Sequence, residues 1–277
     1  MKIVVASGKG GTGKTSVAVN LALSVEAEQY IDCDVEEPNA HIFLKPGHKR
    51  QQPVELLVPI IDEKKCTYCR KCAEFCQYNA LFVAGETAMV FNELCHSCGG
   101  CKLVCPEGAI TEEPRQIGTI TVSESSGMSL VYGELNVGEA LAVPVIAAVK
   151  EQAVDEGLII LDAAPGSACP LVETVHGTDF CLMVTEPTPF GLHDLDVATE
   201  VVEQLSVPMG VVVNFAGIGD RGVYEFCERK GIPILMEIPY DRRIAELYSR
   251  GVPFTAEMTE WRARFTELLA TVETMVK

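Results

Sequence analysis

Short runs of apolar, β-branched residues recur along the chain, at residues 2–6, 157–161, 180–184, 209–213 and 234–238. Each predicts a buried strand of a parallel sheet. Helical spacing of apolar positions follows most of them, over residues 14–25, 191–205 and 223–230. This alternation predicts an α/β fold, a mostly parallel sheet with helices on both faces. The rhythm breaks between about residue 58 and residue 113, where long helical patterns disappear and the chain repeats itself. Cys66, Cys69, Cys72, Cys76, Ala80 and Leu81 are matched 29 positions later by Cys95, Cys98, Cys101, Cys105, Ala109 and Ile110. Removing this segment leaves about 220 residues, an ordinary size for one open-sheet domain. The predicted organisation is one α/β domain built from residues 1–57 and 114–277, interrupted by a small α+β domain over residues 58–113.

The 277 residues are 48% hydrophobic, enough for a full core, which excludes a disordered chain and a disulfide-stapled miniprotein. Lys and Arg number 22 against 39 Asp and Glu, a formal charge of −17. Such a field repels phosphate backbones and anionic lipid, so neither nucleic acid nor a membrane surface is an expected partner. There are 12 cysteines, and their grouping favours metal ligation in a reducing compartment over disulfides. The sequence has no basic leader, no cleavage site and no apolar run of bilayer length, which predicts a cytoplasmic protein without its own membrane anchor.

The first chemical motif is Gly8-Lys9-Gly10-Gly11-Thr12-Gly13-Lys14-Thr15, a complete G-x-x-x-x-G-K-T run between a predicted strand and a predicted helix. Glycines let successive backbone N–H groups point inward at phosphate oxygens, and the helix N-terminus adds its positive end. Lys14 then reaches the β and γ phosphates and the Thr15 hydroxyl ligates Mg²⁺, with Ser16 completing the cradle. Asp162 ends the apolar strand Leu158-Ile159-Ile160-Leu161, the place for a carboxylate that anchors Mg²⁺ from a neighbouring strand. Asp32 and Asp34 follow the strand-like Tyr30-Ile31, and one of the two is placed to order an attacking water. A solvated loop acid or helix cap is the alternative for each of these aspartates.

Lys9 inside Gly-Lys-Gly-Gly-Thr-Gly-Lys-Thr matches the signature lysine of the deviant Walker A loop. Over residues 1–57 and 114–277 the chain resembles the MinD/ParA/Mrp branch of P-loop ATPases, kin to the nitrogenase iron protein. The resemblance implies a dimer that sandwiches ATP, with Lys9 reaching the nucleotide of the opposite subunit. It also implies that Asp34 is the hydrolytic aspartate of switch I and that Asp162 with Pro165-Gly166 is switch II. Asn214 matches a base-contacting asparagine. Asn214-Phe215-Ala216-Gly217 stands where guanine-specific relatives carry Asn-Lys-x-Asp, which favours adenine. Ile238-Pro239-Tyr240-Asp241 resembles the loop that encloses the base, with Pro239 as the contact.

Cys66-x-x-Cys69-x-x-Cys72-x-x-x-Cys76 and Cys95-x-x-Cys98-x-x-Cys101-x-x-x-Cys105-Pro106 resemble two copies of the bacterial ferredoxin run. Three thiolates in seven residues suit three corners of a cubane; zinc sites pair two C-x-x-C knuckles instead. In ferredoxins of this type the fourth cysteine serves the other cluster. The resemblance therefore implies two [4Fe-4S] clusters, one on Cys66, Cys69, Cys72 and Cys105, the other on Cys95, Cys98, Cys101 and Cys76. Gln77 stands where a proline usually follows the cysteine. The whole arrangement resembles MinD-superfamily ATPases with an inserted ferredoxin domain, and the run from Thr185 to Asp194 resembles a stretch typical of that group, read as a loop near the nucleotide or dimer face.

Cys181 and Cys227 fall in apolar patterns and are expected in the core, with Cys33 a packed spacer. Cys169 lies in the switch II segment, where the nitrogenase iron protein places a cluster cysteine; a silent switch cysteine is the alternative. The last helical pattern puts Trp261, Phe265, Leu268, Leu269 and Val272 on one face without the basic excess of a lipid-binding helix, so it is expected to pack on the sheet. The expected function is an ATP-hydrolysing, Mg²⁺-dependent iron–sulfur protein. Its dimer, with itself or a related ATPase, would couple hydrolysis to electron transfer or to cluster assembly or delivery on a partner protein. The rival is a positioning or scaffold ATPase whose cysteine-rich module senses redox state or docks a partner.

Overall fold

The computed structural model describes residues 1–276. Five adjacent parallel strands form where the apolar runs predict them: β1 (Lys2–Ala6), β8 (Ile159–Asp162), β9 (Phe180–Thr185), β10 (Met209–Ala216) and β11 (Ile234–Pro239). With β2 (Gln29–Asp32), β3 (Lys49–Ile61), β6 (Ile110–Ser125) and β7 (Met128–Leu135) they make one sheet of nine strands, ordered β11-β10-β9-β1-β8-β2-β7-β6-β3. All neighbours are parallel except β7 with β6 and β6 with β3, which form an antiparallel edge.

Side chains alternate between the two faces of each strand. On β1, Ile3 and Val5 join the apolar layer beneath α1 (Lys14–Ser24), α2 (Ala40–Leu44), α9 (Arg242–Ser249), α10 (Phe254–Glu257) and α11 (Glu260–Val276). Val4 and Ala6 join the opposite layer, under α5 (Val143–Lys150), α6 (Cys169–Val175), α7 (Pro189–Gln204) and α8 (Gly222–Lys230). As expected, α11 buries Trp261, Phe265, Leu268 and Val272. It lies mainly against α1 and touches the sheet at β11.

The expected change of pattern at residues 58 and 113 falls inside two strands. β3 and β6 pair without interruption of the ladder from Lys49↔Ser123 to Ile61↔Ile110, apart from a bulge at Val54/Glu55 opposite Ile117. β7 pairs only with Gly118–Ser125 of β6. Beyond the bulge the two strands therefore leave the sheet as a two-stranded arm. Pro53 and Pro59 lie on β3, the sheet edge, where a missing N–H breaks no ladder bond. The arm carries the cysteine-rich segment, with α3 (Lys71–Phe75), α4 (Gly100–Val104) and a hairpin of β4 (Leu81–Ala84) and β5 (Thr87–Val90). The sequence repeat is also a backbone repeat. Arg70 and Gly99 hold φ of 65° and 68° before their helices, and Asn79 and Gly108 hold 53° and 58° after them. The Cys76 and Cys105 sulfurs accept the Ala80 and Ala109 N–H groups at 3.4 and 3.3 Å. Gly100 lets the two halves meet, since a Cβ there would stand 2.1 Å from the Phe75 ring.

Candidate functional site

The glycine loop leaves the carboxyl end of β1 and enters α1 through Gly13, whose φ of 86° is left-handed. A Cβ on Gly13 would stand 2.2 Å from Asn214 Nδ2, so close approach of β10 also requires glycine here. Asn214 is buried; its Nδ2 donates to the Thr12 carbonyl at 2.8 Å and its Oδ1 accepts the Phe215 N–H at 3.0 Å. The base-contacting residue expected from the sequence thus ties β10 to the loop in this structure. A cavity of about 400 Å³ lies above the loop, lined by Lys9, Lys14, Thr15 and Ser16, by Asp34, and by Asn214 and Pro239. Gly10, Gly11 and Gly13 line this cavity beside Lys14, a side-chain-free backbone cradle with a cation that would suit an anionic ligand.

Lys14 is buried, and its ammonium donates to Asp162 Oδ1, contacts Thr15 Oγ1 at 3.3 Å and lies 4.0 Å from Asp34 Oδ2. Burial alone would lower its pKa, but Asp162, Asp32 and Asp34 outweigh burial and raise it. Asp162 is fully buried and accepts the Tyr30 hydroxyl on Oδ2 at 2.9 Å.

The structure separates Asp32 from Asp34. Asp32 is buried with its oxygens occupied: Oδ1 accepts the Asp34 N–H at 3.0 Å, and Oδ2 accepts the N–H groups of Asn39 and Ala40, each at 3.1 Å. Asp32 therefore shapes the loop and caps α2, while Asp34 faces the cavity. Burial pushes the Asp34 carboxyl up to about 6 despite the opposing Lys14 charge. Burial raises Asp32 as well, with Asp162 adding to the shift. Lys9 points to its own chain, its Nζ donating to Glu186 Oε1 at 2.6 Å.

The eight clustered cysteines line two cavities in crossed sets. Cys66, Cys69, Cys72 and Cys105 line one, beneath Ile61 and Ile110 at the arm's end. Cys76, Cys95, Cys98 and Cys101 line the other, beside Leu57 and Glu112. Among the described residues, no three His, Cys, Asp or Glu side chains converge on one point as ligands of a single metal ion. Cys33, Cys181 and Cys227 are buried, as expected of core residues, while Cys169 is exposed at the first residue of α6. Burial pushes the Cys181 and Cys227 thiols up to about 12 and about 11.

The sequence profile of the CbiA family, described as the CobQ/CobB/MinD/ParA nucleotide binding domain, matches residues 3–254. The chain belongs to the CbiA family. An uncharacterized protein of Methanocaldococcus jannaschii is 33% identical over 268 residues, covering 92% of this chain and 91% of that protein. The iron-sulfur cluster carrier protein of Pyrococcus abyssi is 22% identical over 271 residues, 91% of this chain and 78% of its own. In fold, the CbiA-family chain is similar to the septum site-determining protein MinD of Pyrococcus horikoshii complexed with Mg-ADP, with a TM-score of 0.59 at 16% identity over 96% of this chain and 93% of that one. Among the described residues no helix is long and apolar enough to cross a membrane.

The positions of Tyr30, Glu186 and Phe215 in this CbiA-family site escape a reading of the sequence. Tyr30 looks like an ordinary strand residue, and only strand pairing brings it to Asp162. Glu186 stands in a loop read without a catalytic role, and only the fold sets it against Lys9. Phe215, with a φ of 53°, and Tyr240 line the cavity opposite the phosphate loop, their ring centroids 6.3 Å apart. A left-handed bulky residue inside a strand, where the β10–β11 register shifts between Asn214 and Ala216, has no sequence signal.

Proposed function

We propose that this protein is a Mg²⁺-dependent ATPase whose nucleotide-driven dimer couples hydrolysis to electron transfer, or to assembly or delivery of a metal cluster on a partner protein. The convergence of Lys14, Thr15 and Asp34 at one cavity, with the buried Asp162 carboxylate bonded to Lys14 behind it, carries the ATPase reading. The loop N–H groups and Lys14 hold the β and γ phosphates. Bound Mg²⁺, held by the Thr15 hydroxyl with Asp162 behind it, supplies charge neutralisation of those phosphates. Asp34 orients a water against the γ phosphorus; the new oxygen–phosphorus bond forms as the β–γ bridging bond breaks, releasing ADP and phosphate. Phe215 and Tyr240 offer apolar surface to a base, and Asn214 offers its amide once it lets go of the loop. The dimer is of two copies or of this chain with a related ATPase, with Lys9 reaching across it.

In the same proposal, residues 58–113 form an inserted unit holding two [4Fe-4S] clusters. What supports it is the cysteine spacing together with the division of eight thiols into two cavities of four. The cavities fit the crossed sets that a two-cluster ferredoxin uses. Clusters held there supply one-electron redox chemistry; the thiols hold them, and the Ala80 and Ala109 N–H groups donate to two of the sulfurs. The test is anaerobic purification followed by iron analysis and ATPase assay. The expected result is about eight iron per chain and Mg²⁺-dependent ATP hydrolysis that Lys14→Ala abolishes. Stoichiometric zinc in its place overturns the cluster reading, and native turnover by Lys14→Ala overturns the ATPase reading.

The MinD-like fold favours a second reading, a positioning or scaffold ATPase with the cysteine-rich unit as redox sensor or docking surface. Anaerobic pull-down with and without ATP separates them: a redox or cluster-accepting partner supports the first, a structural partner the second.

A further inference from the structure

Tyr30 lies wholly buried on β2, between β8 and β7. Strand alternation places it on the same face as Asp32, under α1, in an apolar layer with Val17, Leu21 and Ile160. A phenol in such a layer gains over phenylalanine only if its hydroxyl has a partner. That partner is Asp162 Oδ2, at 2.9 Å. The other carboxylate oxygen, Oδ1, accepts from Lys14, whose ammonium also contacts the Thr15 hydroxyl at 3.3 Å. One cation therefore sits between Asp162 Oδ1 and Thr15 Oγ1, the two protein oxygens that would hold the divalent cation.

Phosphates in the loop give Lys14 competing acceptors. When Lys14 turns to them, Oδ1 loses its partner. Without Tyr30 the carboxylate would be a buried charge free to rotate; with Tyr30 it keeps one oxygen fixed and one open. We propose that Tyr30 is a positioning residue for the divalent cation that accompanies the nucleotide, holding Asp162 by Oδ2 so that Oδ1 stays turned toward Thr15. This assignment rests on the Mg²⁺-dependent ATPase reading above.

The test uses Tyr30→Phe in the full chain. Mn²⁺ binding is read by electron paramagnetic resonance of free Mn²⁺ with a saturating non-hydrolysable ATP analogue, and analogue binding in EDTA by a fluorescent derivative. Losing one hydrogen bond to a charged group lowers the expected Mn²⁺ affinity about tenfold or more, with analogue affinity in EDTA unchanged. A second comparison covers a poorly folding single variant: adding Tyr30→Phe to Asp162→Ala is expected to weaken Mn²⁺ no further. Native Mn²⁺ affinity in Tyr30→Phe, equal weakening of the analogue in EDTA, or a further loss on top of Asp162→Ala each overturns the assignment. A native protein that binds no nucleotide overturns the ATPase reading itself, and the Tyr30 assignment with it.

Discussion

Lys9 Nζ and Glu186 Oε1 are 2.6 Å apart within one chain, and Thr188 Oγ1 donates to the same carboxylate oxygen at 3.0 Å. A lysine that acts across a dimer must first leave this acid. Both side chains are partly exposed, so the pair is worth about 0–1 kcal/mol. Glu186→Gln keeps the shape and removes the charge. ATP-dependent dimerisation, followed by sedimentation velocity, is predicted at about two- to fivefold lower protein concentration. A dimer of native or lower affinity would show that the ion pair does not oppose assembly.

Lys14→Ala is predicted to abolish nucleotide binding, measured by titration calorimetry. It also strands Asp162, which has no exposure and loses its only cationic hydrogen-bond partner. Breaking a buried pair from one side destabilises by about 3–5 kcal/mol, so the apo variant should unfold at clearly lower denaturant.

Asp34 gives a separate pH signature. Burial holds its carboxyl up at about 6, above the ordinary aspartate value of 3.8, so between those values the folded state binds more protons than the unfolded state. Its contribution to stability is therefore fully present below the unfolded pKa and is lost as pH rises through about 6. Asp34→Asn is predicted to melt higher than the native protein at pH 7.5, with the gain vanishing toward pH 4. Hydrolysis should run the other way: native activity rises through pH 6 as the carboxylate ionises, and the asparagine variant lacks that limb. A native rate flat across pH 5 to 7 would count against Asp34 as the water-orienting group.

Cys105→Ser is predicted to damage the centre of Cys66, Cys69 and Cys72, because Cys105 lines their cavity and not that of Cys95, Cys98 and Cys101. Electron paramagnetic resonance of the dithionite-reduced variant should keep the signal of the intact centre and lose its coupling to the other. A crystal structure with Cys105 bonded to the same cluster as Cys95 would remove the crossed assignment.

Much of this fold is written locally. The five apolar runs become parallel strands because a strand buried on both faces must be apolar at every position. The glycine loop is legible for the same kind of reason: its chemistry is contained within nine consecutive residues, from Gly8 to Ser16. The repeat of 29 residues is legible too, and it returns in the φ angles and sulfur contacts of both halves.

Hidden from the sequence are β3, β6 and β7, together with every contact between distant strands. β3 is polar over residues 49–52 and carries Pro53 and Pro59, and the second proline interrupts its apolar stretch from Leu56 to Ile61 with a residue that central strands exclude. The family resemblance points to Asp34 over Asp32, but the physical reason, the backbone N–H groups of Asn39 and Ala40 turned onto Asp32, exists only in the folded loop. Tyr30 and Asp162 are 132 residues apart, and Lys9 and Glu186 are 177 apart. Sequence fixes what each strand buries by its own pattern of side chains. Which polar groups then share a buried space depends on strand order, and that order is set by packing the whole sheet between its two helix layers.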